Sequence, residues 1–223
     1  MTAVSVLLPS RRRPALLATC VTSLAATATH PQRVEVLVAA DPDDTVTQGF
    51  TTATPLSVRV LTTPRRWGRG WLHEYYNWLT GHARGEWVLV FNDDATMQTP
   101  GWDQVIAACE PSIALVGSNH GDHMFMAVPT AWAKAAGYLA TSPDVDNFLY
   151  EAGQRLGRLS CPPVHAFHDQ YRVTGRNGDE TYWEGRADSE RAGEADRADW
   201  DRVVSDRERA MQAMTGAIRE LAG

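Results

Sequence analysis

The sequence predicts an α/β protein, a mostly parallel and doubly wound sheet flanked by helices, followed by a charged C-terminal helix. Three observations predict it. Apolar runs rich in Val and Leu alternate with helical-period stretches in units of about 25–35 residues, the length of a βαβ crossover. The run Trp87–Phe91 is apolar throughout, as a strand covered on both faces must be. Polar clusters follow three of the early strands, at Pro9–Arg13, Asp41–Asp44 and Asn92–Asp94. In open α/β sheets the ligand crevice lies outside the carboxyl ends of the strands.

The elements follow in order. Ala3–Leu8 is a β-branched and Leu-rich strand. Pro14 suits a first helical position, and Leu16, Leu17, Cys20, Val21 and Leu24 recur at helical spacing. His30-Pro31 closes that helix. Val34–Ala39 is the second strand and Leu56–Thr62 the third, with the alternation of an edge. Pro64–Gly70 is a basic loop carrying Arg65, Arg66, Trp67 and Arg69, and Trp71–Ala83 is helical. Trp102–Cys109 reads as a short helix, Ile113–Gly117 as a strand, His120–His123 as a polar loop and His123–Val128 as a strand. Pro129–Gly137 is a small-residue helix stopped by its glycine. Ser142-Pro143-Asp144 opens a helix to about Gly157 with Phe148, Leu149 and Leu156 inward. Val164–Asp169 is a short strand with His165 and His168 three apart. Thr174–Arg186, rich in Gly, Asn and charge, reads as a mobile loop. From Ala187 a charged tail leads into a long helix. There Trp200, Val204, Met211, Met214, Ile218 and Leu221 keep a 4-3 spacing, broken at Arg207. That stripe suits packing on its own domain or, alternatively, a homodimer seam. The expected divisions are 1–118, 119–186 and a helical tail 187–223.

Composition narrows the function classes. The 223 residues are enough for a sizeable core, with ordinary apolar (43%) and charged (22%) contents. No run approaches the about 18 apolar residues of a transmembrane segment, and Met1–Pro9 lacks the basic start of a signal peptide. Cys20, Cys109 and Cys161 are unclustered and odd in number, which fits reduced thiols in a cytoplasmic protein. A net charge of −6 argues against nucleic-acid binding by the whole surface. Two adjacent acids past a buried strand, Asp93 and Asp94, suit Mg²⁺ or Mn²⁺ carrying phosphates, because such ions take oxygen ligands and often few from protein. Asn-Asp-Asp is also good turn chemistry.

An ordered series of segments resembles the family 2 type of glycosyltransferase with the GT-A fold. Val6–Pro14 is similar to that family's opening strand and nucleotide loop. Glu35-Val36-Leu37-Val38 with Asp41 resembles its second strand and base-contacting acid. Asn77, the segment Ala83-Arg84-Gly85-Glu86-Trp87, and Asn92-Asp93-Asp94 match its Asn, its Ala-Arg-Gly-Glu-aromatic segment and its Asp-x-Asp metal motif in type and spacing. Ala127-Val128-Pro129 with Ala136-Gly137 resembles its acceptor-side entry, and Asp144-Val145-Asp146 lies where it places the catalytic acid. The resemblance runs from Val4 to about His168. Asn92 stands where an Asp is usual, Tyr76 where an Arg is frequent, and Pro143 where a Glu usually precedes the catalytic acid.

The resemblance implies a transferase with a nucleotide-sugar donor. Pro9, Ser10, Arg11, Arg13, Asp41, Asp43, Asn77 and Asp93 would bind the donor, Asp41 accepting from its base and the arginines reaching phosphate or ribose. Asp94, with His168 or His165, would hold Mn²⁺ or Mg²⁺ against the diphosphate. Asp144 or Asp146 would be the general base for the acceptor hydroxyl, and a single in-line attack would invert the anomeric centre. The segment Arg176–Trp183 would close over the donor. The acceptor is open: a sugar, a lipid, a protein or a hydroxylated base in nucleic acid. Two rivals remain. A sugar-nucleotide nucleotidyltransferase usually wants a glycine-rich loop, which Pro9-Ser10-Arg11 is not. A non-catalytic nucleotide-sugar-binding module is the other.

Overall fold

The computed structural model describes residues 1–119, 121–198 and 200–222, without the side chains of 121–123, 172, 173, 200 and 222. Its elements are β1 (Val4–Pro9), α1 (Pro14–Thr27), β2 (Val34–Ala40), α2 (Thr45–Gln48), β3 (Ser57–Thr62), α3 (Leu72–His82), β4 (Trp87–Val90), β5 (Ala95–Met97) and α4 (Trp102–Ala107). Then come β6 (Ile113–Ser118), β7 (Gly121–Pro129), α5 (Thr130–Ala136), α6 (Val145–Leu156), β8 (Leu159–Ser160), β9 (His165–His168), α7 (Tyr171–Thr174), α8 (Glu180–Ala198) and α9 (Trp200–Ala222). His120 and the side chain of Trp200 lie outside the described residues.

One sheet runs in the order β3-β2-β1-β4-β7-β6-β9-β5, with β8 beside β6. β3, β2, β1 and β4 are parallel; β7 enters antiparallel between β4 and β6. The expected α/β architecture, a mostly parallel sheet flanked by helices, is therefore the observed one. Alternation along β1 splits the core. Val4, Val6 and Leu8 face α1 and α4, while Leu7 faces the layer of α3, α5, α6 and α9. Each fully buried Leu or Val contributes about 1.5–3 kcal/mol, so this two-sided burial fixes the strand register. The chain leaves β1 towards β2 and β3, then returns to β4 on the other side of β1. That reversal is the switch point at which an open α/β sheet gapes.

Gly85 shows why the turn into β4 has its sequence. A Cβ there would lie 2.7 Å from the Ser5 nitrogen of β1. The Gly85 amide donates to Ser5 Oγ at 2.8 Å, and Ser5 Oγ donates to the buried Glu35 at 2.6 Å. Glu35 also accepts from the Arg84 amide at 2.7 Å. The Ala-Arg-Gly segment thus knits β1, β2 and β4 together behind the site.

Two expectations change, and the two alternatives for the α9 stripe narrow to one. The stretch 174–186 is not one loop: α8 begins at Glu180, because Asp179 Oδ1 accepts from the Tyr182 amide at 2.8 Å and Tyr182 packs on Tyr171. The helix therefore crosses the expected boundary between 186 and 187. The methionine stripe of α9 is spent on its own domain, with Met211, Met214 and Ile218 buried against α5 and α6. It is not available as a dimer seam; only Val204 and Leu221 of the described stripe stay exposed. Arg207 breaks the stripe because its guanidinium lies 5.6 Å from the Phe148 ring and pairs with Glu151. Lastly, Leu156 is only half-buried. Among the described residues no helix is long and apolar enough to cross a membrane.

Candidate active site

The switch point opens into a hollow of about 180 Å³ lined by Pro9, Ser10, Arg11, Arg13, Asp41, Asp93, Asp94 and His168, among others. The loop after β1 turns sharply to put two arginines into it. Arg12 sits between them with φ 54°, a left-handed conformation rare outside glycine. Its amide is held by Asp44 Oδ2 at 2.8 Å and Thr47 Oγ1 at 3.1 Å, so α2 props the turn. Such strain, on the order of 1–3 kcal/mol, persists only where surroundings enforce it. Its effect is to aim Arg11 and Arg13 inward together.

Asp41, at the end of β2, is 2% exposed. Its Oδ1 accepts from Tyr75 Oη at 2.6 Å and its Oδ2 from Arg11 at 3.1 Å. Burial pushes its pKa up, with the Tyr75 and Arg11 contacts pulling the other way. Tyr75 is itself fixed by the amides of Trp67 and Gly68, which donate to its oxygen at 3.1 and 3.0 Å. The expected site set did not contain Tyr75; a Tyr on the α3 face buried under the basic loop was its one available signal. Asp43 stands at the rim, exposed, and takes Arg11 in a two-pronged contact at 2.8 and 2.9 Å.

The acids after β4 divide their work. Asp93 accepts from Ser10 Oγ at 2.7 Å and lies 3.7 Å from Arg13. Burial, then the neighbouring Asp94 charge, drives its pKa upward. Asp94 is also penalised by burial, but the hydrogen bond and charge of His168 outweigh that and hold it below the usual carboxylate range. Asp94 Oδ1 and His168 Nε2 are 3.0 Å apart. His168, at the end of β9, is positioned by its amide donating to Asn119 Oδ1 at 2.7 Å. His165 points elsewhere: it is exposed and packs over Gly117. Asn92 lies beside the pair, its Nδ2 3.2 Å from His168 Nε2, and its Oδ1 accepts from Tyr76 at 2.9 Å.

Asn77 is not at the hollow. Its oxygen accepts from the amides of Leu139 and Ala140 at 2.7 and 3.1 Å, and its nitrogen donates to the Ala140 carbonyl at 2.8 Å. It splints the chain that leads into α6.

A second hollow, of about 610 Å³, adjoins the first and shares Arg69, Tyr76, Asn92, His168 and Tyr182 with it. Asp144 and Asp146 line it. Asp144 stands at the N-cap of α6, yet its side chain makes no capping hydrogen bond and is exposed. The polar clusters expected at three separate strand ends and the acids of α6 therefore meet around one continuous cleft. α8 forms the wall opposite the strand ends of both hollows.

Among the described residues no group of three or more His, Cys, Asp or Glu side chains is arranged to hold a metal alone. The donor set of Asp94 and His168 still fits a divalent cation that takes its remaining ligands from water and substrate phosphates, the usual habit of Mg²⁺.

No curated protein is similar to the chain by sequence search. Solved structures share its fold at low identity. S. aureus TarS 1–349 in complex with UDP-GlcNAc has a TM-score of 0.60 and 16% identity, over 81% of this chain and 61% of that one. S. aureus TarS has a TM-score of 0.59 at 16% identity, over 75% of this chain and 36% of TarS, so the chain spans little more than a third of it. The mannosyltransferase PcManGT from Pyrobaculum calidifontis, in complex with GDP-Man and Mn²⁺, has a TM-score of 0.57 and 14% identity, over 96% of this chain and 85% of that one. At sequence level the model of glycosyl transferase family 2 matches residues 5–116, which runs from β1 into β6 and takes in the polar clusters after β1, β2 and β4, and the chain belongs to that family.

Proposed function

We propose that the chain transfers a sugar from a nucleotide-sugar donor to an acceptor hydroxyl, with inversion and with a divalent cation. The observation that carries this reading is the shared wall of the two hollows. A donor diphosphate beside Asp94 and His168 would point its sugar towards the hollow that holds Asp144. Asp41, steadied by Tyr75 and Arg11, would accept from a nucleobase edge. Arg13 and Arg11 supply positive charge for the phosphates. Neighbouring solved structures carry UDP-GlcNAc or GDP-Man, which supports a nucleotide-sugar donor without selecting its base.

Asp94 and His168 would hold Mn²⁺ or Mg²⁺, which when bound neutralises the diphosphate leaving group. Ser10 and Arg13 keep Asp93 in place behind that pair. Asp144 accepts the proton of the attacking hydroxyl; its missing cap bond leaves the carboxylate available for that task. Asp146, half-buried on the first turn of α6, is the second choice. The family assignment and the glycine-free Pro9-Ser10-Arg11 loop speak against the nucleotidyltransferase reading. Cys20, Cys109 and Cys161 are all free, which supports a reducing compartment such as the cytoplasm.

The test measures release of nucleoside diphosphate from a panel of UDP- and GDP-sugars, with MnCl2 or with EDTA. Turnover is expected only with the cation. Asp94→Ala is expected to lose cation-dependent donor binding. Asp144→Asn is expected to keep donor binding and lose about 10²–10⁴-fold in turnover. Full activity of Asp144→Asn would move the base role to Asp146. Pyrophosphate-dependent chemistry, or binding with no turnover for any acceptor, would remove the transferase reading.

A further inference from the structure

Arg11, Arg13 and Arg66, three of the four arginines lining the first hollow, already have anionic partners, and α8 or the residue that caps it supplies one to each of the three. Asp179 takes Arg13 in a two-pronged contact at 2.6 and 2.9 Å. Glu184 accepts from Arg11 Nε at 3.0 Å. Asp188 accepts from Arg66 at 3.0 Å, and Glu184 lies 3.6 Å from the same guanidinium. Glu184 is held below its usual range, first by the Arg11 hydrogen bond. Arg66 was legible only as part of a basic loop, yet it lines the same hollow as Arg11 and Arg13.

The seat of α8 is also shaped for it. A Cβ at Gly70 would lie 2.5 Å from Ala192 Cβ and 2.8 Å from the Asp188 carbonyl oxygen. One at Gly68, where φ is 77°, would lie 2.6 Å from Asp188 Oδ2. The helix comes this close because both residues are glycine. Apart from Tyr182, however, α8 has no buried residue among those described. Carboxylates spaced along one helix thus occupy the cations that a diphosphate would need, on a helix with little apolar attachment.

We propose that α8 is a built-in competitor of the donor: Asp179, Glu184 and Asp188 occupy Arg13, Arg11 and Arg66 until a diphosphate displaces them, and α8 then leaves the cleft. The role of Arg66 as a third diphosphate-binding arginine is part of the same inference. It rests on the donor-site reading above for the identity of the anion, but not for the competition itself. Bidentate or paired carboxylates and phosphate oxygens offer guanidinium the same geometry, so the exchange needs no new kind of contact.

The test is hydrogen exchange of residues 180–198 in the full chain, with α9 as internal reference, on adding inorganic pyrophosphate, UDP or GDP, each with MnCl2. Protection of 180–198 is expected to fall while that of 200–222 stays constant. Glu184→Gln with Asp188→Asn is expected to bind the effective anion about three- to tenfold tighter, the scale of losing two weak competing pairs. Release by pyrophosphate but by neither nucleotide would keep the competition and remove the nucleotide-donor reading. Unchanged or increased protection with all three anions, or with the nucleoside diphosphate that is bound and whose sugar conjugate is turned over, would overturn the proposal. So would equal or weaker anion binding by the double variant.

Discussion

α8 and α9 follow one another in the chain and meet the domain by different forces. α9 lays Met211, Met214 and Ile218 into the layer under the sheet, all of them essentially without solvent contact. α8 offers Tyr182 as its buried anchor among the described residues, lies close over Gly70, and meets Arg11 and Arg66 through charge. Apolar burial is not screened by salt and is lost only when the core opens. Exposed or half-exposed ion pairs are individually worth about 0–1 kcal/mol and are screened. A domain that fastens one helix permanently and the next one reversibly, with the reversible one lying over the candidate site, has separated stability from access.

Met214→Ala breaks this contrast on its strong side. The side chain is fully buried, so the loss is expected to be about 2–5 kcal/mol in urea denaturation, the range for Met→Ala in a core. A loss below about 0.5 kcal/mol, within the range of ordinary surface substitutions, would show that α9 is no more firmly attached than α8.

Salt probes the weak side. At 1 M NaCl the screening length is about 3 Å, against about 10 Å at 0.1 M. Hydrogen exchange of 180–198 is expected to accelerate severalfold over that interval, while 200–222 changes little. Equal behaviour of the two helices would mean that Tyr182 and Trp183, whose rings lie 4.8 and 5.6 Å from that of Tyr171, hold α8 as a core element.

The same division explains what could be read from the chain alone. β1, β2 and β4 were legible because their residues are largely apolar on both faces, and polar clusters after all three indicated a shared rim. α9 was legible from its stripe, though the partner of that stripe was not. α8 has no stripe: its residues were chosen to face charges contributed by the loops at 11–13 and 66–69, and such complementarity is invisible until those loops are brought near. β5 and β8 have three and two residues, too few for any period to register. The antiparallel entry of β7 between β4 and β6 depends on pairing across the sheet, which no local pattern encodes. Asn77 matched by type and spacing, yet its side chain serves the backbone at 139–140; a residue type at the right place names a donor and an acceptor, not their partner. Tyr75 and Arg66 went unselected for the complementary reason. Their roles come from Asp41 and Asp188, which lie far away in sequence.

The smallest effect comes from removing charge where apolar burial already holds. Glu208 of α9 meets Arg155 of α6 in a two-pronged pair at 2.8 and 2.7 Å. The Arg155 hydrogen bond lowers its pKa from 4.5 to about 2. A carboxylate with a depressed folded value adds stability above its unfolded value and loses that contribution as pH falls from 4.5 towards 2. The pair is nevertheless in open solvent, where screening and the cost of ordering two long side chains cancel most of the attraction. Glu208→Gln is therefore expected to leave the urea midpoint at pH 7 unchanged and to leave exchange of 200–222 as it was. A clear drop in either would mean that α9, like α8, depends on its ion pairs, and the separation between the permanent and the releasable helix would have to be drawn elsewhere.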